Sequence, residues 1–118
     1  MSLYYAQKAA KRGATALDKL CGKVGIIPCD WREKIDRNSL DMSRGESCIL
    51  GQTCDDYDIA LDAIQEALDF PSLDRESWAE VNGFQERTGN DLRTLYTYEE
   101  LDQAWRELLA ETADTKEV

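Results

Sequence analysis

The stretch from Trp31 to Gln52 limits what this chain can fold into more than any other. It carries apolar residues but no long period. Trp31 and Ile35 are four apart and share one side of a helical turn, which Asp30 is placed to cap. Leu40 and Met42 alternate with Asp41 and Ser43. Ser43 and Gly45 mark a loop, and Ser47 is a good start for a short helix at about 47–53 that Thr53-Cys54-Asp55 closes. Short helices are marginal alone, so such a stretch holds one shape only when its anchors are buried against longer helices. The sequence therefore predicts a central plug clamped by amphipathic rods.

Three rods are legible. Over residues 4–20, Ala6, Ala10, Gly13, Ala14, Leu17, Leu20 and Cys21 recur at three- and four-residue steps, with Lys8, Arg12, Thr15 and Lys19 opposite. Gly13 lies on the apolar stripe, which implies close approach of another backbone; Gly22 is the stop. The second rod, capped by Asp55 or Asp56, runs to about Asp69, with Tyr57, Ala60, Leu61, Ile64, Ala67 and Leu68 on one face. Asp58, Asp62, Glu66 and Asp69 form a like-charged row that must be wet or meet cations. The third starts at the capping box Thr97–Glu100, with Tyr96 and Leu101 as its staple, and runs to about Glu111, with Tyr98, Leu101, Ala104, Trp105, Leu108 and Leu109 inward. Asp102 and Arg106 are spaced to pair along it.

Between the rods, Val24 to Pro28 reads as extended. Phe70-Pro71 ends the second rod. Ser72 or Asp74 starts a shorter helix to about Asn82, with Leu73 and Trp78 as staple and Gly83 as stop. Residues 85–91 read as loop, and Leu92–Tyr96 as a helical turn in preference to an edge strand.

The pattern Trp31-x3-Ile35-Asp36-x3-Leu40-Asp41-Met42-Ser43-x4-Cys48-Ile49-Leu50-Gly51-Gln52 resembles a family of small uncharacterised proteins from actinobacteria and their bacteriophages. Tyr57-Asp58, Gly83-Phe84 and Tyr98-x2-Leu101-x3-Trp105-Arg106 fit the same pattern, so the resemblance spans about Gly13 to Leu109. Cys21 to Pro28 is longer than the family's usual turn before the tryptophan. The resemblance implies a compact helical protein and carries no activity or site.

With 118 residues the expectation is a single helical domain, 1–118, with a frayed tail at 113–118. No apolar run approaches the roughly 20 residues of a membrane helix and no signal peptide is visible, so a cytoplasmic protein is expected. Charge is segregated. Residues 1–37 hold eight Lys/Arg against four Asp/Glu, net +4; residues 38–118 hold six against twenty, net −14; together they give −10. Such a surface repels nucleic acid over most of its extent and suits solubility or the docking of a basic partner.

Chemistry is sparse. The absence of histidine removes the commonest general base and metal ligand. Gly22-Lys23-Val24-Gly25 lacks the spacing of a phosphate loop, so no cofactor is expected. Cys21, Cys29, Cys48 and Cys54 lack the Cys-x2-Cys knuckles of zinc sites; they are weak metal candidates and are expected mainly as reduced, partly buried thiols. Carboxylate pairs abound, but nothing sets two of them in unlike environments. Trp31, Trp78 and Trp105 read as core, with one of them available as an interface anchor.

The chain therefore reads as an all-α protein: a small orthogonal helical bundle of three longer and one or two shorter helices around an irregular central segment. The expected function is a non-catalytic protein-interaction module with an acidic surface, an accessory protein of an actinobacterium or phage. Its expected partner is another protein, a basic one by charge; no membrane partner is expected, nucleic acid is disfavoured, and the oligomeric state is open. The alternatives are a small cysteine-coordinated metal or redox protein and a DNA-associated regulator using the Lys8/Arg12/Lys19 stripe.

Overall fold

Two long helices frame the protein in the computed structural model, which describes residues 2–69, 75–88 and 94–117. Helix α1 (Ser2–Leu20) packs along α6 (Tyr98–Glu117) in the most extensive contact between elements. The approach is close because the α1 face is made of small residues: Ala6, Ala9, Ala10, Gly13 and Ala14 are all buried. A Cβ on Gly13 would sit 2.8 Å from the Trp105 ring and run into the Asn82 carbonyl, so the glycine does admit a neighbouring backbone. The rest of the order is α2 (Trp31–Lys34), α3 (Ile49–Cys54), α4 (Tyr57–Leu68), α5 (Arg75–Val81) and the strands β1 (Arg87–Thr88) and β2 (Thr94–Tyr96). The fold is all-α in character, with three short helices among the described residues where one or two were expected.

The central stretch is the plug. Trp31, Leu40, Met42, Cys48, Ile49 and Leu50 are buried and Ile35 is at the edge of burial. Two side chains of α6 hold its irregular part. Asp102 accepts from the Met42 N–H at 2.6 Å, and Arg106 donates to the carbonyls of Arg37 at 3.1 Å and Leu40 at 2.5 Å. The spacing of Asp102 and Arg106 suggested a pair along the helix; in the fold each grips the loop backbone. Gly51 lets α3 lie on the Gly45–Glu46 backbone, since a Cβ there would meet the Glu46 Cα at 2.9 Å.

The helix ends follow local chemistry. The Thr97–Glu100 capping box forms: the Thr97 N–H donates to Glu100 Oε1 at 3.0 Å, and the Glu100 N–H donates to Thr97 Oγ1 at 3.3 Å. Asp56, rather than Asp55, caps α4 through the Ile59 N–H at 3.0 Å, and Asp55 takes a left-handed conformation that ends α3. Gly83, at φ +75°, ends α5.

Several expectations change. The cap of α3 is Cys48, whose sulfur accepts from the Gly51 N–H at 3.3 Å, so the helix starts two residues after Ser47. Asp30 sits at the start of α2 but its side chain makes no cap bond. Val24 forms an isolated bridge with Cys21, and the chain then turns at 25–27 in place of an extended run: the Ile27 N–H donates to the Val24 carbonyl, and both side chains are buried. Helix α6 runs to Glu117, past the expected end near Glu111. Thr94–Tyr96 is a strand antiparallel to Arg87–Thr88, with a bulge between the two β1 positions. Thr and Tyr favour that conformation, and the Tyr96 hydroxyl donates to the Glu80 carbonyl at the end of α5. The proposed helix stop at Phe70-Pro71, the start at Ser72 or Asp74, the Leu73 half of the staple and Leu92 lie outside the described residues.

Candidate docking groove

The four cysteines do not converge. Cys21 and Cys29 form a disulfide with their Cα atoms 5.0 Å apart, while Cys48 and Cys54 are free and buried. The expectation of four reduced thiols therefore fails at one pair. The cause is local: Gly22, at φ +87°, turns the chain after α1, and the turns through Val24 and Ile27 bring Cys29 back to it. Burial pushes the Cys48 thiol up and the Cys54 thiol up to about 11, so neither is a ready thiolate at neutral pH. Among the described residues no group of three or more Cys, Asp or Glu is placed to hold a metal ion.

The acidic row on α4 meets a cation from α5. Arg75 donates to Asp62 at 2.5 Å and to Asp58 at 3.3 Å, while both carboxylates stay largely exposed. The cleft beside them, lined by Tyr57, Asp58, Asp62, Arg75, Glu76 and Gln85, thus mixes both signs. So does the cleft of about 720 Å³ between the plug and α6, where Asp36 and Glu107 stand with Arg37 and Arg106.

A third concavity carries charges of one sign among the described residues, although Lys11 at its edge also lines a neighbouring cleft with Glu107 and Glu111. It runs along α1 and opens between that helix, the end of α4 and α5, with a volume of about 540 Å³. Lys11, Arg12, Lys19 and Lys23 line it, and Ala16, Leu20, Leu68 and Trp78 supply its apolar part; no acidic side chain lines it among the described residues. The order follows from helix geometry. Positions 11/12, 15/16, 19/20 and 23 advance by four, so they make one strip beside the buried face. The sequence placed Arg12, Thr15 and Lys19 together on the polar side, and the structure keeps all three here. Lys8 is elsewhere, its ammonium 4.8 Å from the Tyr4 ring centroid.

The groove is firmly built. The Arg12 Nε–H donates to the Val81 carbonyl at 2.8 Å, which ties the cation to the end of α5. Trp78, half-buried, stacks on Phe84 at 5.6 Å between centroids; Phe84 stacks on Trp105 at 5.6 Å, and Trp105 meets Trp31 edge-on at 6.2 Å. Trp105 also donates its Nε1–H to the Gly83 carbonyl at 2.7 Å. An aromatic column therefore runs from the plug through Trp105 and Phe84 to Trp78 in the groove. Outside the groove, Asp18 of α1 accepts from Arg32 at 2.6 and 3.0 Å and from Trp31 Nε1 at 3.0 Å. The Arg32 hydrogen bonds lead in holding its carboxyl below the usual 3.8.

The sequence missed half of this surface. Leu68 was expected on the buried face of its helix and is instead 45% exposed, and Ala67 is exposed with it. The four-residue advance of 11, 15, 19 and 23 was visible in the chain, but the apolar wall from α4 and α5 was not. No described helix is long and apolar enough to cross a membrane. No protein-family model, curated protein or solved structure matches the chain.

Proposed function

We propose that the protein is a non-catalytic protein-interaction module that takes its partner in the α1 groove. The reading rests on one observation: this concavity joins an apolar floor to four cations of a single sign on a braced helical frame. Concave, mostly apolar surfaces with a few convergent polar groups are where binding is concentrated. The clefts at Arg75 and Arg106 already carry both charges, so they offer a partner less uncompensated field. Docking thus shifts from the acidic row to the basic groove.

The non-catalytic half follows from residue chemistry. There is no histidine, and the two free thiols are buried. Asp102, whose carboxyl burial raises, is committed to the Met42 N–H. The disulfide removes two of the four thiols that a metal or redox reading needs. An origin in an actinobacterium or one of its phages is the part of the reading that rests on the resemblance of the Trp31–Gln52 pattern.

Site-specific photo-crosslinking in host cells tests the reading. A crosslinker at Thr15, in the groove, is expected to give one discrete protein adduct. Excess unmodified protein should displace it, and excess Lys11→Glu/Lys19→Glu variant should not. The same crosslinker at the exposed Glu66 should give no such adduct. Equal adducts at both positions, or none at Thr15, would count against the module.

A further inference from the structure

We infer that the occupant of the α1 groove is an acidic amphipathic helix of a partner protein, an inference that rests on the reading of the chain as an interaction module. Length comes first. Lys11 to Leu20 covers nine helical steps, about 14 Å of axis at 1.5 Å per residue, and the turn carrying Lys23 extends it. A docked helix of about three turns, 5.4 Å each, matches that span. Helices laid in grooves insert anchors at i, i+3 or i+4 and i+7, and this groove offers an apolar floor of Ala16, Leu20, Leu68 and Trp78. Trp78, rigidly stacked on Phe84, is a side chain of the type that dominates such contacts.

Charge selects the sequence of the visitor. Lys11 and Arg12 stand about two helical turns before Lys19, and Lys23 follows beyond the helix end, so cations occur at both ends of the groove. A ligand with one carboxylate, such as a fatty acid, would answer one end only. A helix with Glu or Asp flanking its apolar stripe answers both. Nucleic acid also carries spaced anions, but residues 38–118 carry net −14. The Debye length is about 8 Å at physiological salt, so a three-turn helix feels mainly the groove, whereas a long duplex meets the acidic remainder as well.

The test uses fluorescence anisotropy with a labelled model peptide of about fifteen residues, Leu on one face and Glu on both flanks. The controls are the same peptide with Lys for every Glu, sodium dodecanoate and a short DNA duplex. The Glu peptide should bind saturably, and raising salt from about 0.05 to 0.3 M should weaken it several-fold. Lys11→Glu/Lys19→Glu should weaken it by about tenfold or more, Lys11→Arg/Lys19→Arg should not, and Leu68→Glu should weaken it with the cations intact. All of these positions are exposed, and circular dichroism checks that each variant folds. Equal binding of the Lys peptide, or preference for dodecanoate or DNA, overturns the inference. An adduct at Thr15 in cells without Glu-peptide binding leaves the module standing and removes this partner class. Glu-peptide binding without any cellular adduct supports the partner chemistry and removes the module.

Discussion

Gly51 and Asp18 show what single residues contribute. A methyl at Gly51 would lie 2.8 Å from the Glu46 carbonyl carbon, and its other nearest atoms are also Gly45–Glu46 backbone. Gly51→Ala should therefore cost about 1–3 kcal/mol by overpacking, read as a lower urea midpoint. Gly25→Ala, where an added Cβ meets nothing within 4 Å, should leave the midpoint nearly unchanged. Asp18 predicts a pH dependence. Its native carboxyl is held below 3.8, chiefly by the Arg32 hydrogen bonds. The sign follows: the fold favours the ionised form, so this stability is complete above the ordinary carboxylate value and fades as pH falls through the lowered native one. The side chain is 48% exposed, so solvent screening limits the effect to about 1 kcal/mol. Asp18→Asn should lower stability at pH 7 and flatten the acid limb between pH 4 and the lowest pH at which the protein stays folded. An unchanged limb would show that the Arg32 pair carries no linkage.

At the scale of elements, the clamp from α6 onto the plug replaces regular secondary structure. Asp102 is pushed up by burial first, so its ionised form is disfavoured in the fold and its contribution declines as pH rises through the window above 3.8. Its acceptor role and its charge can be separated. Asp102→Asn keeps an oxygen for the Met42 N–H without the buried charge and should be neutral to mildly stabilising at pH 7. Asp102→Ala strands that N–H and should cost about 1–3 kcal/mol. Equal losses in both variants would mean that the charge, not the acceptor, matters. These elements also show what a sequence can disclose. The long helices were legible because their apolar residues repeat at the helical period and the Thr97–Glu100 box is a local signal. The partners of Asp102 and Arg106 were not, because they lie 60 and 66 residues away across the core. Cys48 as a cap escaped because a serine stands beside it. The β1–β2 ribbon escaped because what holds Tyr96 is the Glu80 carbonyl, a tertiary contact.

For the whole molecule, the groove unites a charge asymmetry that is countable in the chain with a wall that is not. The net +4 of residues 1–37 placed the cations of α1; only folding brought Leu68 and Trp78 against them. The Cys21–Cys29 disulfide closes the same end of the molecule, since Lys19, Leu20 and Lys23 flank Cys21. Its eight-residue separation corresponds, in the chain-entropy view, to about 2–3 kcal/mol of stability. Native oxidised protein should react slowly with a thiol reagent, because Cys48 and Cys54 are buried with raised pKa values. Unfolding without reductant should expose two thiols per chain, and unfolding after reduction four. Reduction should lower the urea midpoint, and Cys21→Ser/Cys29→Ser should match the reduced protein and no longer respond to reductant. Because the buried Val24 and Ile27 also anchor this turn, the reduced chain should keep its helical circular dichroism at low urea. Four reactive thiols in the unfolded, unreduced protein, with a midpoint indifferent to reductant, would show that packing of Val24 and Ile27 alone closes this turn.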